Sequence, residues 1–330
     1  MKEFFIKLIL LIISVFLILC LIGIYFNQEG FSSKNSSEDS DDDDDYDYDD
    51  DDKKLGNVVD GRKMIEDNNK YRNEIFKNIK RNIGDFDVIH DETSNYQRIE
   101  VIQFKKNSLG YDKCLLLNNE PQLCNNDEKE YHELIVHFPA YYLKKMENVL
   151  IIGGGDCMTL REIMKYPTIK HVDMLELDKQ VISVTKKYFS INAYENDPRV
   201  NIMIGDATKN INKLKDNTYD LIIIDTTEDG IVNLPIDEFS FYQDCKKKLK
   251  KENSILIKNG DRSMNILSIT KMFKYMEIID LADVAIIGQY KFVFGSNTID
   301  FKNTSIQNKH LEKLNLKKYD YKKHKNHFLI

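Results

Sequence analysis

Four carboxylates stand at the ends of successive apolar runs, and together they could bind a nucleoside. Each run is short enough for a buried strand, and helix-like stretches separate the runs. Parallel strands bring their carboxyl ends to one edge of a sheet, where ligands of such folds bind. The sequence therefore predicts that the four acids meet in one site. They are Asp156 after 149–152, Glu176 within 172–177, Asp206 after 200–204 and Asp225 after 220–224.

The stretch VLIIGGGDCMTLREI, which starts at Val149, could wrap a ligand with its backbone. A strand that ends in glycines and opens a helix usually holds a phosphate against backbone N–H groups. Asp156 would repel a phosphate, so a ligand with an ammonium or hydroxyl group fits this loop better. Simple close packing of the chain is the alternative explanation for the three glycines.

The next two acids have spacings typical of nucleoside recognition. Glu176 lies 20 residues after Asp156, a separation at which an acid commonly accepts hydrogen bonds from ribose hydroxyls. Asp206 follows Gly205, where an adenine amine could be bound. A helix that starts after Glu176 with Asp178 as its cap is the structural alternative for this region.

Strand-like and helix-like stretches alternate from residue 149 onward, which favours a doubly wound α/β sheet. Short alternating runs between 86 and 117 indicate a few antiparallel strands before it. The fold prediction from this pattern is a Rossmann-like, doubly wound sheet preceded by a small region of β-strands. The predicted segments are a charged helical stretch at 55–84, the small β domain at 85–140 and the Rossmann-like domain at 141–330.

The first 54 residues differ in composition from the remainder. Residues 8–26 are apolar or small, enough for a membrane-spanning helix, so a transmembrane anchor at 1–27 and a single-pass membrane location are predicted, with the orientation open. Residues 38–52 hold 12 of the 54 acids, which predicts a disordered acidic linker over 28–54. The rest of the chain lacks a concentrated basic stripe, so no nucleic-acid partner is predicted.

The cysteines and histidines do not have the spacing of a structural site. The five cysteines form no CxxC pair, so neither a disulfide framework nor a structural zinc site is expected. The stretch DEKEYHELIVHFP contains His132 and His137, but they lie five residues apart without a third ligand at a suitable spacing. No metal is therefore predicted.

These motifs together resemble the polyamine aminopropyltransferases, the spermidine synthase family. The resemblance runs from about residue 96 to 328. It implies a homodimer of chains with a Rossmann-like class I methyltransferase fold preceded by a small N-terminal β domain. It also implies transfer of an aminopropyl group from decarboxylated S-adenosylmethionine, a co-substrate, to a small-molecule amine, with release of methylthioadenosine and no cofactor. Putrescine, which would give spermidine, is the first acceptor to expect. The matching motifs are YQRIEV, DEKEYHELIVHFP, VLIIGGGD, LELDKQVI, GDA, YDLIIID and YDYKKH.

The resemblance assigns roles to these residues. Asp225 would accept the proton of the attacking amine, with Tyr131 as the second catalytic residue. Asp156 would bind the ammonium of the decarboxylated donor and would disfavour a donor that keeps its carboxylate. The predicted donor-binding residues are Gln97, Gly153, Gly155, Asp156, Glu176, Asp206 and Ala207, and the predicted acceptor-binding residues are His132, Asp156, Asp225 and Glu228.

Several positions depart from the family pattern, mostly on the acceptor side. Cys157 replaces a glycine, Glu228 replaces a shorter acid, and the segment LADVAIIGQYKF lacks the family's tyrosine and proline. Two alternatives therefore stay open. One is a catalytically weak paralogue that binds thioadenosine ligands or a partner subunit, and the other is a methyltransferase on the same fold. Asp156 argues against the second, because methyl transfer uses a donor that keeps its carboxylate.

Overall fold

The computed structural model describes residues 61–226, 239–260, 271–284, 288–305 and 313–320. The charged stretch expected at 55–84 contains a helix, and a second helix begins directly after Asp178, which caps it. The α-helices are α1 Gly61–Asn82, α2 Glu128–Ala140, α3 Met158–Ile163, α4 Lys179–Phe189, α5 Ala207–Asn210 and α6 Phe239–Lys248.

A small antiparallel sheet precedes the larger one. Its strand order is β1-β2-β3-β4, so each strand pairs with its neighbour in the chain. One face packs against Ile75, Phe76 and Ile79 of α1, and the other packs against Val181 and Val184 of α4. Burial on both faces fits the apolar run of β3, whose last four residues are all buried. The strands are β1 Phe86–Thr93, β2 Arg98–Phe104, β3 Lys113–Leu117 and β4 Glu120–Cys124.

The small sheet contains a disulfide between Cys114 of β3 and Cys124 of β4. The sequence-based expectation of no disulfide was wrong for this pair. The two residues are register partners in adjacent antiparallel strands, with their Cα atoms 4.1 Å apart. Cysteine spacing alone did not reveal this pairing, because the β3–β4 turn brings the residues together.

The larger sheet has seven strands in the order β10-β11-β9-β8-β5-β6-β7. Strands β5 to β9 run parallel, while β10 and β11 are antiparallel additions at one edge. This order confirms the predicted Rossmann-like fold. The strands are β5 Asn148–Gly153, β6 His171–Glu176, β7 Val200–Ile204, β8 Leu221–Asp225, β9 Ile255–Gly260, β10 Tyr275–Val284 and β11 Gly288–Ser296.

The chain reverses its direction of growth across the sheet between β5 and β8. From β5 the chain adds β6 and β7 on one side, and from β8 it adds β9 on the other. A crevice forms at such a switch point, outside the carboxyl ends of the strands. Two core clusters hold the sheet from opposite faces: Ile151 and Ile223 face α2, and Ile152 and Ile224 face α6.

The prediction of a single-pass membrane location was wrong. Within the described ranges, no helix is both long and apolar enough to cross a membrane. The longest of them, α1, spans 22 residues but carries charged side chains along its length. The predicted anchor at 1–27 and the predicted linker at 28–54 lie outside the described residues.

Candidate functional site

The glycine loop after β5 lies against the ends of two other strands. A Cβ atom on Gly153, whose φ is +81°, would be 2.2 Å from the backbone oxygen of Asp225. A Cβ atom on Gly155 would be 2.9 Å from Oε2 of Glu176. The N–H of Gly154 donates to the backbone oxygen of Asp225 at 2.8 Å. Glycine at 153 and 155 is therefore required for the loop to reach the ends of β6 and β8.

Cys157 takes a left-handed backbone conformation immediately before α3, with φ at 61°. A side chain in this conformation costs roughly 1–2 kcal/mol. Cys157 is fully buried in the main core cluster, and that burial offsets the cost. Burial also raises the pKa of its thiol. The chain therefore keeps the loop conformation without a glycine at this position.

Asp225 ends β8 and receives hydrogen bonds from two helices. Its Oδ1 accepts from the hydroxyl of Tyr131 in α2 at 2.7 Å, and its Oδ2 accepts from Oγ1 of Thr159 in α3 at 2.5 Å. Burial raises the pKa of Asp225, and the nearby charge of Asp156 raises it further, while His132 and the two hydroxyl donors act in the opposite direction. The site therefore contains a partly buried carboxylate that can take up a proton.

His132 lies between two carboxylates. Its Nε2 is 3.3 Å from Oδ2 of Asp156, and its Nδ1 is 3.1 Å from Oε2 of Glu128. Burial alone would lower the pKa of His132, but the charges of Asp156 and Glu128 outweigh it and raise that pKa well above 6.5. Arg161 holds Glu128 from the other side with two hydrogen bonds of 3.0 and 2.8 Å. These contacts form an alternating chain of charges that ends at Asp156.

Glu176 and Gln97 lie on the other side of the glycine loop. Burial raises the pKa of Glu176 to about 7, and its Oε1 accepts from the N–H of Asp178 at 2.8 Å. Nε2 of Gln97 donates to Oδ2 of Asp178 at 3.3 Å. Oε1 of Gln97 is buried and has no hydrogen-bond partner among the described residues. An acceptor without a donor at this place suits a ligand that brings a hydroxyl or an amine.

Asp206 follows β7 and caps the short helix α5, which begins at Ala207. Its Oδ1 accepts from the N–H of Thr208 at 2.9 Å and from the hydroxyl of Thr208 at 2.7 Å. Burial would raise the pKa of Asp206, but these hydrogen bonds outweigh it and the pKa is lowered. Asp206 is therefore an ionised acceptor beside the end of β6. Glu228, the remaining predicted residue, lies outside the described residues.

Much of the chain matches one known protein family. The model of the spermine/spermidine synthase domain matches residues 128–307, more than half of the chain. The chain belongs to this family. The matched residues include Tyr131, His132 and all four strand-end acids, Asp156, Glu176, Asp206 and Asp225.

Relatives named polyamine aminopropyltransferase share the region. A protein of Thermoanaerobacter sp. (strain X514) is 31% identical over 248 residues, 72% of this chain and 87% of the relative. One of Alkaliphilus metalliredigens (strain QYMF) is 34% identical over 64% of this chain and 76% of the relative. One of Prochlorococcus marinus (strain AS9601) is 39% identical over 164 residues, which are 49% of this chain. The match spans only 56% of that relative's length. The family is a family of transferases, as predicted.

Solved spermidine synthases have the same fold. One, determined in complex with the transition-state analogue AdoDATO, has a TM-score of 0.65 and 26% identity and covers 74% of this chain and 85% of its own. The spermidine synthase of Thermotoga maritima has a TM-score of 0.63 and 27% identity, over 74% and 84% of the two chains. Both likenesses support the methyltransferase-like fold of this family member.

Sequence reasoning missed two polar residues that this family member places in the site. Thr159 reaches Asp225 from the first turn of α3. Asn259, near the end of β9, donates from Nδ2 to the backbone oxygen of Thr226 at 2.7 Å, and its Oδ1 is buried without a partner among the described residues. The rule that identified the four acids could have found Asn259, because it also follows an apolar strand. No sequence pattern points to Thr159.

Proposed function

We propose that the chain transfers the aminopropyl group of decarboxylated S-adenosylmethionine to an amine, with putrescine as the first acceptor to expect. The observation that carries this proposal is the arrangement around Asp225. A partly buried carboxylate, held by Tyr131, lies at the switch point beside a second carboxylate, Asp156, on the glycine loop. One acid can bind the ammonium of the donor while the other receives a proton from the acceptor.

The donor would lie across the ends of β5, β6 and β7. Glu176 would accept hydrogen bonds from the ribose hydroxyls, and the unpartnered Oε1 of Gln97 lies within the same group of residues. Asp206 and Ala207 would meet the adenine, and Gly153 and Gly155 would let the backbone approach the ligand. Asp156 would bind the aminopropyl ammonium. A donor that keeps its carboxylate would meet repulsion from Asp156, so the decarboxylated form is favoured.

The chemical step needs a base close to the acceptor. An alkyl amine has a pKa of about 10.4, so it arrives protonated and cannot attack until it loses a proton. Asp225 takes that proton as the new C–N bond forms. The bond between carbon and the sulfonium sulfur breaks at the same time, and its electrons leave with neutral methylthioadenosine. The remaining catalysis is alignment of nitrogen, carbon and sulfur along one line.

The acceptor would bind on the α2 side of the site. Tyr131 orients the carboxylate of Asp225 through its hydroxyl, while His132 lies next to Asp156. Glu228, predicted from sequence as an acceptor-binding residue, remains part of this proposal. We also propose that the chain forms the homodimer implied by the family resemblance, which light scattering of the full chain tests. We further propose that the chain divides near residue 140 into a small β domain and a catalytic domain.

The reaction is tested by incubating the full chain with a panel of diamines and polyamines and with one of two donors, decarboxylated or intact S-adenosylmethionine. Mass spectrometry should show methylthioadenosine and an amine heavier by one aminopropyl unit with the decarboxylated donor only. Asp225→Asn should lower kcat by about 10²–10⁴-fold, since it removes the base. Asp244→Asn makes the same change at a carboxylate of α6 that pairs with Lys247 and should leave kcat unchanged.

Three outcomes would contradict the proposal or the role of Asp225 in it. Tight donor binding without product for any amine would favour the thioadenosine-binding paralogue. Methyl transfer from the donor that keeps its carboxylate would favour a methyltransferase. Equal loss of activity in Asp225→Asn and Asp244→Asn would remove Asp225 from the role of base.

A further inference from the structure

Thr159 forms a hydrogen bond with the proposed base, Asp225, but has no role in the mechanism described above. Its hydroxyl donates to Oδ2 of Asp225 at 2.5 Å, opposite the Tyr131 bond to Oδ1. Thr159 is completely buried, so its hydroxyl has no access to bulk water. A threonine in a helix often turns its hydroxyl back to a carbonyl of the preceding turn. In this site the hydroxyl of Thr159 instead donates to a side chain at the end of β8.

The hydrogen bond from Thr159 is the second of two that connect the glycine loop and the helix following it to Asp225. The backbone already joins them through the N–H of Gly154 and the backbone oxygen of Asp225, at 2.8 Å. Thr159 follows Asp156 by three residues, and Asp156 itself accepts from the N–H of Met158 at 2.8 Å. The side-chain bond from Thr159 therefore fixes the carboxylate of Asp225 relative to the carboxylate that would bind the donor.

We propose that Thr159 is a positioning residue for the transfer reaction, which holds the Asp225 carboxylate in its reactive orientation and in its ionised form. This proposal rests on the proposed function of Asp225. An ionised carboxylate has about four acceptor sites, and the two hydroxyls use one on each oxygen. Sites on both oxygens remain for the amine, so the two bonds restrict rotation without blocking proton uptake.

The groups around Asp225 give Thr159 a measurable effect. Burial and the charge of Asp156 favour the protonated form, whereas the charge of His132 and the hydroxyls of Thr159 and Tyr131 favour the ionised form. Removal of one hydroxyl donor shifts this balance toward the protonated form. The acidic limb of the pH–rate profile, which reports ionisation of the base, should then move to higher pH.

Thr159→Val removes the donor and keeps the shape of the side chain. We expect kcat to fall about tenfold and the acidic limb to rise by about one pH unit, because a hydrogen bond to a charged group is lost. The affinity for methylthioadenosine, measured by calorimetry, should not change. Thr159→Ser keeps the hydroxyl and should restore both the rate and the limb to near the wild-type values.

A matched control is available on α4. Thr185 is also completely buried, and its hydroxyl donates to the backbone oxygen of Val181 at 2.7 Å. Thr185→Val should therefore leave the acidic limb in place. An unchanged acidic limb in Thr159→Val would overturn the proposal, because the hydroxyl would then have no effect on the ionisation of Asp225. An equal shift of the limb in Thr159→Ser would also overturn it, because the effect would then come from side-chain packing.

A second measurement separates this proposal from the proposed function. Carbon-13 NMR of labelled aspartate, with Asp225→Asn used for assignment, reports the titration of the Asp225 carboxyl directly. Wild-type chain without any transfer activity would defeat the proposed function. In that case a higher titration midpoint of Asp225 in Thr159→Val than in wild type would still support the contact, and equal midpoints would refute it.

Discussion

At the level of single residues, His132 and the donor compete for one carboxylate. The raised pKa of His132 keeps its imidazole charged at and above pH 6.5, beside Asp156 and Glu128. The donor ammonium must then approach Asp156 against a like charge. We expect the affinity for decarboxylated donor to rise by about tenfold as pH increases through the elevated pKa of His132. Calorimetric titrations at several pH values measure this change.

Methylthioadenosine is the matched ligand for this prediction, because it lacks the ammonium. Its affinity should stay nearly constant over the same pH range. His132→Gln cannot carry the charge and should flatten the pH dependence of donor binding. A pH dependence shared by both ligands, or one that survives in His132→Gln, would show that another group is responsible.

At the level of elements, a buried carboxylate of α2 anchors the segment 313–320. Glu133 is completely buried, and its oxygens accept from the backbone N–H groups of Lys317, Lys318 and Tyr319 at 2.7–3.0 Å. Glu133→Gln would replace one accepting oxygen by an amide N–H₂ group, which is itself a donor and cannot bind these backbone N–H groups. Hydrogen bonds to charged groups are each worth about 1.5–3 kcal/mol, so we expect the free energy of unfolding to fall by roughly 2–4 kcal/mol.

Glu130 provides the control for this element, because it meets the same segment from the surface. Its Oε1 is 2.6 Å from Nζ of Lys318, and both side chains are partly exposed. An exposed ion pair contributes about 1 kcal/mol or less, so Glu130→Gln should lower the unfolding free energy much less. Urea unfolding of both variants measures the difference. Equal losses would mean that the backbone N–H groups find other acceptors.

The elements were largely predictable from sequence, whereas the contacts between elements were not. Strand periodicity and the cap at Asp178 gave β5 to β9 and α4, because these depend on neighbours in the chain. The four acids were found because strand direction fixes where strands end. Thr159 and Glu133 were not found, since their partners lie 66 and at least 184 residues away. The Cys114–Cys124 disulfide was missed for a different reason: the two residues are only ten apart, but their pairing depends on the register of β3 and β4.

At the level of the whole molecule, two buried acids predict sensitivity to acid. Burial alone would raise their pKa values, but His132 and Arg161 lower the pKa of Glu128 to about 2, and His137 and Lys165 lower that of Glu162 to about 2. A lowered pKa stabilises the fold above the unfolded value near 4.5, and the stabilisation is lost as pH falls toward 2. We expect each acid to account for up to about 3 kcal/mol.

Urea unfolding between pH 7 and pH 3 tests this expectation, and Glu162→Gln isolates one acid. The amide cannot ionise, so this variant should be less stable than wild type at pH 7 and should lose less stability on acidification. Glu176 contributes in the opposite sense: its pKa of about 7 means that the folded chain loses stability as pH rises from about 4.5 to 7. Glu176→Gln should remove that decline, and an unchanged decline would show that another group causes it.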